Sequence, residues 1–258
     1  MQKFIFIELQ KFLGDKMNVE EYIKNKLKKE KLHFTLIDPD SEIAKNSEAL
    51  NSLKDINTDA ILIGGSTQVR GEELDSLIKS IKKFTTVPVI IFPGGVGGIS
   101  RYADAIFFMS LLNSRNPYFI TKAQALGAFQ VKLSRLETLP MGYLIIEPGE
   151  TAGFIGEADL LLRRKPKIAA AYALAAQFMG MRFVYLEAGS GASEPVPLKM
   201  INYVKKAVDI PVIVGGGIRD EKKAAEISKT ADIIVTGTIA EENFEKLSEI
   251  VKAVKGVR

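Results

Sequence analysis

Ile210-Pro211-Val212-Ile213-Val214-Gly215-Gly216-Gly217-Ile218-Arg219 is followed by a helical stretch and then by Ala231-Asp232-Ile233-Ile234-Val235-Thr236-Gly237-Thr238. Two short apolar runs, Val212–Val214 and Ile233–Val235, each end in glycine-containing turns that lead into helical periods. An apolar run without polar alternation fits a parallel strand buried on both faces. Working outward, the same unit recurs. Further runs lie at His33–Ile37, Ala60–Ile63, Val89–Phe92, Ala105–Phe108, Tyr143–Ile146 and Phe183–Leu186. Helical periods separate most of them: Ser41–Leu53, Glu72–Phe84, Pro117–Leu133, Pro166–Met179, Pro197–Val208, Glu221–Lys229 and Glu241–Val254, with a further helix at Asn18–Lys31 ahead of the first strand. Eight strand–helix units in 258 residues predict a closed (β/α)8 barrel, an α/β fold that reaches this length as one domain.

One unit departs from the rule. Between the third and fourth runs, Pro93–Asp104 holds Gly94, Gly95, Gly97 and Gly98. Glycine disfavours a helix, so a loop or single turn is expected in place of the third helix. Val87-Pro88-Val89-Ile90-Ile91 also echoes Ile210-Pro211-Val212-Ile213-Val214, as two similar half-barrels would. No linker is visible, and residues 1–258 read as one domain. The periodic pattern starts after Met17, which makes Met1–Lys16 an extension or a mis-assigned start.

Composition narrows the chemistry. With no cysteine and one histidine, disulfides, thiolate metal sites, a Cys nucleophile and a His-based triad are disfavoured. The net charge of +4 is interspersed with acidic residues. It suits an anionic small ligand rather than a nucleic-acid groove. Ile168–Leu186 is long and mostly apolar, but Gly180 and Arg182 divide it into a buried helix and a strand. No transmembrane segment or signal peptide is expected, and the location is read as cytoplasmic.

In such barrels the loops after the strand C-termini build the site. Gly215-Gly216-Gly217 and Thr236-Gly237-Thr238 follow strands seven and eight, where backbone N–H groups can approach a phosphate. Asp38-Pro39-Asp40 follows the first strand, and Gly64-Gly65-Ser66-Thr67 the second. Asp38 with Ser66 could hold Mg²⁺, which takes oxygen ligands and keeps waters or substrate phosphates; Asp40 with Ser41 also reads as a helix cap. Strand six ends in Tyr185-Leu186-Glu187-Ala188-Gly189-Ser190-Gly191. Tyr185 and Glu187 share one face of that strand. Glu187 reads equally as a general base or as a rim salt bridge, and Glu147 leaves the same two choices. His33 starts its strand, at the end of the barrel away from chemistry.

These residues coincide with a known pattern. His33-Phe34-Thr35-Leu36-Ile37-Asp38-Pro39-Asp40, Ile63-Gly64-Gly65-Ser66, Ser110-Leu111-Leu112-Asn113-Ser114, Tyr185–Gly191, Gly215–Arg219 and Thr236-Gly237-Thr238 occur in family order from about residue 18 onward. The chain resembles the geranylgeranylglyceryl and heptaprenylglyceryl phosphate synthases, and the Thr35–Asp38 wording resembles the second of two groups. A Lys two residues before the Asp, present in the other group, is absent here. The resemblance implies a prenyltransferase that joins a polyprenyl diphosphate to the 3-hydroxyl of sn-glycerol 1-phosphate, making the first ether bond of archaeal-type lipids. It implies Mg²⁺ at Asp38 and Ser66, glycerol phosphate at Tyr185, Leu186, Glu187, Ala188, Gly189, Ser190, Gly191, Gly216, Gly217, Gly237 and Thr238, and proton acceptance by Glu187 with Tyr185 beside it. A homo-oligomer and peripheral membrane contact for a lipid substrate and product also fit. Met109, Leu111, Leu112, Tyr118 and Phe119 are candidates for an apolar groove. The competing reading is a phosphate-binding barrel isomerase or synthase acting on a soluble sugar phosphate.

Overall fold

The computed structural model describes residues 18–65 and 71–257. The segment Met1–Lys16 and the candidate ligand Ser66 lie outside the described residues. Eight strands, β1 Leu32–Ile37, β2 Ala60–Ile63, β3 Val89–Ile91, β4 Ala105–Leu111, β5 Glu137–Ile145, β6 Phe183–Glu187, β7 Val212–Gly215 and β8 Ile233–Thr236, pair in parallel. The sheet closes in sequence order, β8 returning to β1 through Leu32 opposite Ile233.

Closure follows from the composition of the strands. Successive side chains point to opposite faces, and here both faces are apolar. Phe34, Leu62, Ile90, Phe107, Met141, Phe183 and Ile213 fill the inside of the barrel. Ile61, Ile63, Ile91, Val184, Leu186, Val212 and Val214 alternate with them and pack outward under the helices. A shift of one residue in any strand would exchange these two sets.

The helices are α1 Val19–Leu27, α2 Glu42–Lys45, α3 Ser47–Ser52, α4 Glu72–Phe84, α5 Ala123–Ser134, α6 Glu150–Ile155, α7 Pro166–Phe178, α8 Leu198–Ala207, α9 Glu221–Ser228, α10 Thr238–Glu242 and α11 Phe244–Lys255. The expected gap is present: residues 92–104 contain no helix. The continuous helix predicted over Ser41–Leu53 is two short helices, because the Asn46 side chain accepts from the N–H groups of Glu48 and Ala49 and starts a new one. Ser41, rather than Asp40, caps α2. Asn243 likewise divides the last predicted helix into α10 and α11.

His33 is structural, as its position predicted. It is fully buried beneath the barrel, with Nδ1 3.1 Å from Thr58 Oγ1 and Nε2 2.9 Å from Thr236 Oγ1. Burial, with a smaller contribution from the nearby Lys255 charge, lowers its pKa to about 3. Beside it, buried Asp59 accepts from Lys26, from Lys255 Nζ at 2.5 Å and from the His33 N–H at 2.9 Å. This closes the end of the barrel opposite the strand C-termini.

Candidate active site

The C-terminal strand ends open into a cavity of about 380 Å³. Its walls carry Asp38 after β1, Gly64 and Gly65 after β2, Phe92 after β3, Tyr143 on β5, Glu187 on β6, and Gly237 and Thr238 after β8. The topology therefore brings Asp38, Glu187, Ser190, Gly237 and Thr238, from strands far apart in the sequence, to one mouth.

Glu187 is 7% exposed and has three donors around it. The Gly189 N–H donates to Oε1 at 2.6 Å, and the Tyr143 hydroxyl donates to Oε2 at 3.3 Å. The Tyr185 phenol is the third. Burial raises the Glu187 pKa, while the Gly189 N–H and the two phenols oppose that rise by favouring the ionised form. Both phenols are themselves pushed well above the ordinary tyrosine range, first by burial and then by the Glu187 charge. They remain neutral donors. A buried carboxylate with a raised pKa can take a proton from a ligand hydroxyl. The rim salt bridge does not occur at Glu187: its carboxylate is held by a main-chain N–H and phenols.

Glycines make this packing possible. A Cβ at Gly215 would overlap the Tyr185 hydroxyl, and one at Gly216 would overlap Glu187 Oε1. Gly189 and Gly216 also have φ of 108° and 80°, conformations that L side chains rarely adopt. Ser190 Oγ and Thr238 Oγ1 stand 3.3 Å apart, joining the β6 and β8 loops across the mouth. Ser190, Gly237 and Thr238 face the cavity; Gly216 packs behind Glu187, and Gly217 lies against Glu194 and Pro195. The side chains of Leu186 and Ala188 belong to the outer core. The Ala188 main chain is engaged as well, its N–H with Gly215 O at 3.1 Å and its carbonyl with the Gly149 N–H at 2.9 Å.

Asp38 Oδ1 accepts from the Asp40 N–H at 3.0 Å. A Cβ at Gly65 would overlap the other carboxylate oxygen, so only a bare glycine lets the Asp38 carboxylate lie against this turn. Glu241 of α10 lines the same cavity, and its pKa is raised by burial, then by the Asp38 charge. Two carboxylates lining one cavity, the charge of one acting on the other, suit a hard cation with oxygen ligands. Glu147 takes the other course. It accepts from the Arg163 N–H at 3.0 Å, while Arg163 Nη1 donates to its carbonyl, a rim turn rather than chemistry.

The remaining wall is apolar. Met109, Leu111, Tyr118 and Phe119 line it as the sequence suggested; Leu112 does not, and packs in the outer core. The cavity continues over the outward side chains of β4, Ile106 and Phe108, to Gly127 and Val131 of α5, beside Val96 and Ile99 of the helix-free loop. Two side chains fasten the single π-helical turn Tyr118–Lys122, which leads into α5, to β4. Ser110 Oγ donates to Ile120 O at 2.7 Å, and Gln124 Nε2 donates to Met109 O at 2.6 Å and to Phe119 O at 3.1 Å. The Asn113-Ser114 pair is a clamp. Asn113 Nδ2 donates to Ile145 O and Asp159 O, at 2.9 and 2.8 Å, and Ser114 Oγ donates to Gly156 O at 2.6 Å, holding α6 over the mouth.

Comparison with known proteins agrees with this architecture. The family model described as PcrB family matches residues 25–255. The geranylgeranylglyceryl phosphate synthase of Thermococcus kodakarensis is 59% identical over 246 residues, covering 92% of this chain and 98% of the relative. That of Pyrococcus furiosus is 57% identical over 242 residues, covering 93% and 96%. The crystal structure of (S)-3-O-geranylgeranylglyceryl phosphate synthase from Thermoplasma acidophilum, in complex with its substrate sn-glycerol-1-phosphate, superposes with a TM-score of 0.88 at 43% identity, covering 93% of this chain and all of that one. With its barrel superposing on these proteins and its sequence matching them over nearly their whole length, the chain belongs to the PcrB family.

Proposed function

We propose that this chain transfers a polyprenyl group, geranylgeranyl as in the names of its relatives, from its diphosphate to the 3-hydroxyl of sn-glycerol 1-phosphate. The observation that carries the reading is the position of Glu187. It stands where a polar mouth, with Ser190, Gly237 and Thr238, meets a long apolar wall. Glycerol phosphate fits the polar side, its phosphate against the β6 and β8 loops. Glu187 accepts the hydroxyl proton as the oxygen attacks; a positioned general base contributes about 10²–10⁴-fold. The prenyl chain lies along Met109, Tyr118 and Phe119. A soluble sugar phosphate would leave that wall unused.

Asp38, on the cavity wall against Gly65, would hold Mg²⁺, with Ser66 as its sequence-predicted partner. When bound, the cation supplies charge neutralisation for the departing diphosphate. Both substrates are phosphorylated and do not cross membranes unaided, which supports a cytoplasmic location. Among the described residues, no helix is long and apolar enough to cross a membrane. The lipid product supports peripheral membrane contact. Leu126, Phe129 and Leu133 form an exposed apolar stripe on α5, which supports a homo-oligomer.

The test is transfer of radiolabel from geranylgeranyl diphosphate to sn-glycerol 1-phosphate, with and without Mg²⁺, with the ether product identified by mass spectrometry. Formation of the ether only with Mg²⁺ is expected. Absence of the ether under both conditions would refute the reading.

A further inference from the structure

Three aromatic rings from three strands meet at the point where the polar mouth becomes apolar. Phe92 follows β3, Tyr143 is on β5 and Tyr185 is on β6. Their centroids form a tight triangle: Phe92–Tyr143 at 5.7 Å and 79°, Phe92–Tyr185 at 5.6 Å and 58°, and Tyr143–Tyr185 at 5.3 Å and 71°. Phe92 and Tyr143 line the cavity that also holds Asp38 and Glu187. Phe92 is firmly seated. Its N–H donates to Ile63 O at 2.9 Å, and its carbonyl presses on Gly64, where a Cβ would overlap it. Tyr143 is anchored by its hydroxyl on Glu187 Oε2.

The proposed reaction, on which this inference rests, creates a charge that this arrangement suits. The bond between prenyl C1 and the diphosphate oxygen breaks, and its electron pair leaves with the diphosphate. Positive charge then spreads over the allylic carbons until the glycerol 3-oxygen bonds to C1 and its proton passes to Glu187. A carboxylate or water at that point can bond to the cation and divert it. An aromatic ring offers negative potential without forming such a bond. We infer that Phe92, with Tyr143 beside it, forms an aromatic wall that stabilises the developing allylic cation as the diphosphate departs. The two rings then act on the transition state more than on bound substrate.

Fluorination tests this without changing shape appreciably, because each fluorine withdraws negative potential from the ring. Position 92 is replaced in turn by 4-fluoro-, 3,5-difluoro- and 3,4,5-trifluorophenylalanine. Single-turnover ether formation is measured for each, together with calorimetric binding of the prenyl diphosphate. The rate is expected to fall stepwise, by roughly 10-fold or more across the series, with binding nearly constant. Phe183, fully buried in the barrel 6.0 Å from Phe107, is the control, and its fluorinated series should be flat. Phe92→Leu, which keeps the bulk and removes the ring, should slow the same step with little change in KM. A flat rate across the Phe92 series, or an equal fall at Phe183, overturns the aromatic wall while leaving the prenyl transfer intact. Failure of the unmodified protein to form any ether overturns the proposed function and this inference together.

Discussion

Replacing Tyr143 with phenylalanine removes one hydroxyl and keeps the ring. The lost hydrogen bond is the 3.3 Å contact to Glu187 Oε2, a group whose pKa is already raised by burial. Hydrogen bonds to charged groups contribute about 1.5–3 kcal/mol. This one is longer than the usual O–H···O range, which places it at or just below the lower limit, about 1–1.5 kcal/mol. The Gly189 N–H and the Tyr185 phenol remain in place. Because the lost donor favours the ionised carboxylate, its removal raises the Glu187 pKa further. At an acidic pH the fraction of ionised base should fall roughly 5- to 10-fold. The acidic limb of kcat/KM for glycerol phosphate should therefore move to higher pH. The plateau above it should stay near that of the unmodified protein, since the ring is retained. Tyr143→Leu should lower the plateau as well. The assay is kcat/KM measured from about pH 5 to about pH 9. Superimposable limbs for the unmodified protein and Tyr143→Phe, or a limb displaced to lower pH, would refute the coupling between this phenol and the base.

Glu187→Gln should leave glycerol phosphate binding largely intact by calorimetry while turnover falls about 10²-fold or more; an unchanged kcat would remove Glu187 from the chemistry. Gly65→Ala puts a methyl group against Asp38 and should weaken Mg²⁺-dependent binding of inorganic diphosphate with little change in melting temperature. Undiminished binding in calorimetric titrations would show that the cation sits elsewhere. EDTA should abolish prenyl diphosphate binding and spare most glycerol phosphate binding, and the reverse order of sensitivity would mean the two anion sites are interchanged. His33 has a folded pKa of about 3 against an ordinary 6.5, so its contribution to stability is complete above pH 6.5 and is lost as pH falls toward 3. Urea unfolding of His33→Gln should accordingly be less acid-sensitive than that of the unmodified protein, and equal pH dependence would argue against this account.

Most of the barrel was legible because strands buried on both faces leave continuous apolar runs. Other parts depend on partners that no local pattern reveals. The strand beginning at Tyr143 in the sequence reading begins at Glu137 in the structure. Glu137, Thr138 and Pro140 look unlike a buried strand. Glu137 accepts from the N–H groups of Val19 and Glu20 at 2.6 and 2.9 Å, so its charge serves the start of α1. Helix α6 was missed because Gly149, Gly153 and Gly156 obscure its period. At the site, Glu187 and Tyr185 stood out through their two-residue spacing. Tyr143 did not, because its role depends on lying opposite Tyr185 in the β5–β6 register. Phe92 was hidden for a similar reason: as the last residue of an apolar run, it reads as strand core until closure turns it toward the mouth.

The helix-free stretch between β3 and β4 has a thermodynamic side. Elsewhere a helix shields the outer strand surface permanently; here Val96, Ile99, Ile106 and Val131 border open volume. Under the proposed function, a bound isoprenoid occupies that volume and acts as a removable piece of hydrophobic core. Folding and ligand occupancy are then linked: a ligand present at about 100 times its Kd adds roughly 2.7 kcal/mol to the folded state. The protein should resist heat and proteolysis best when loaded with lipid, and truncated prenyl diphosphates should protect it less, in proportion to the apolar surface they leave uncovered.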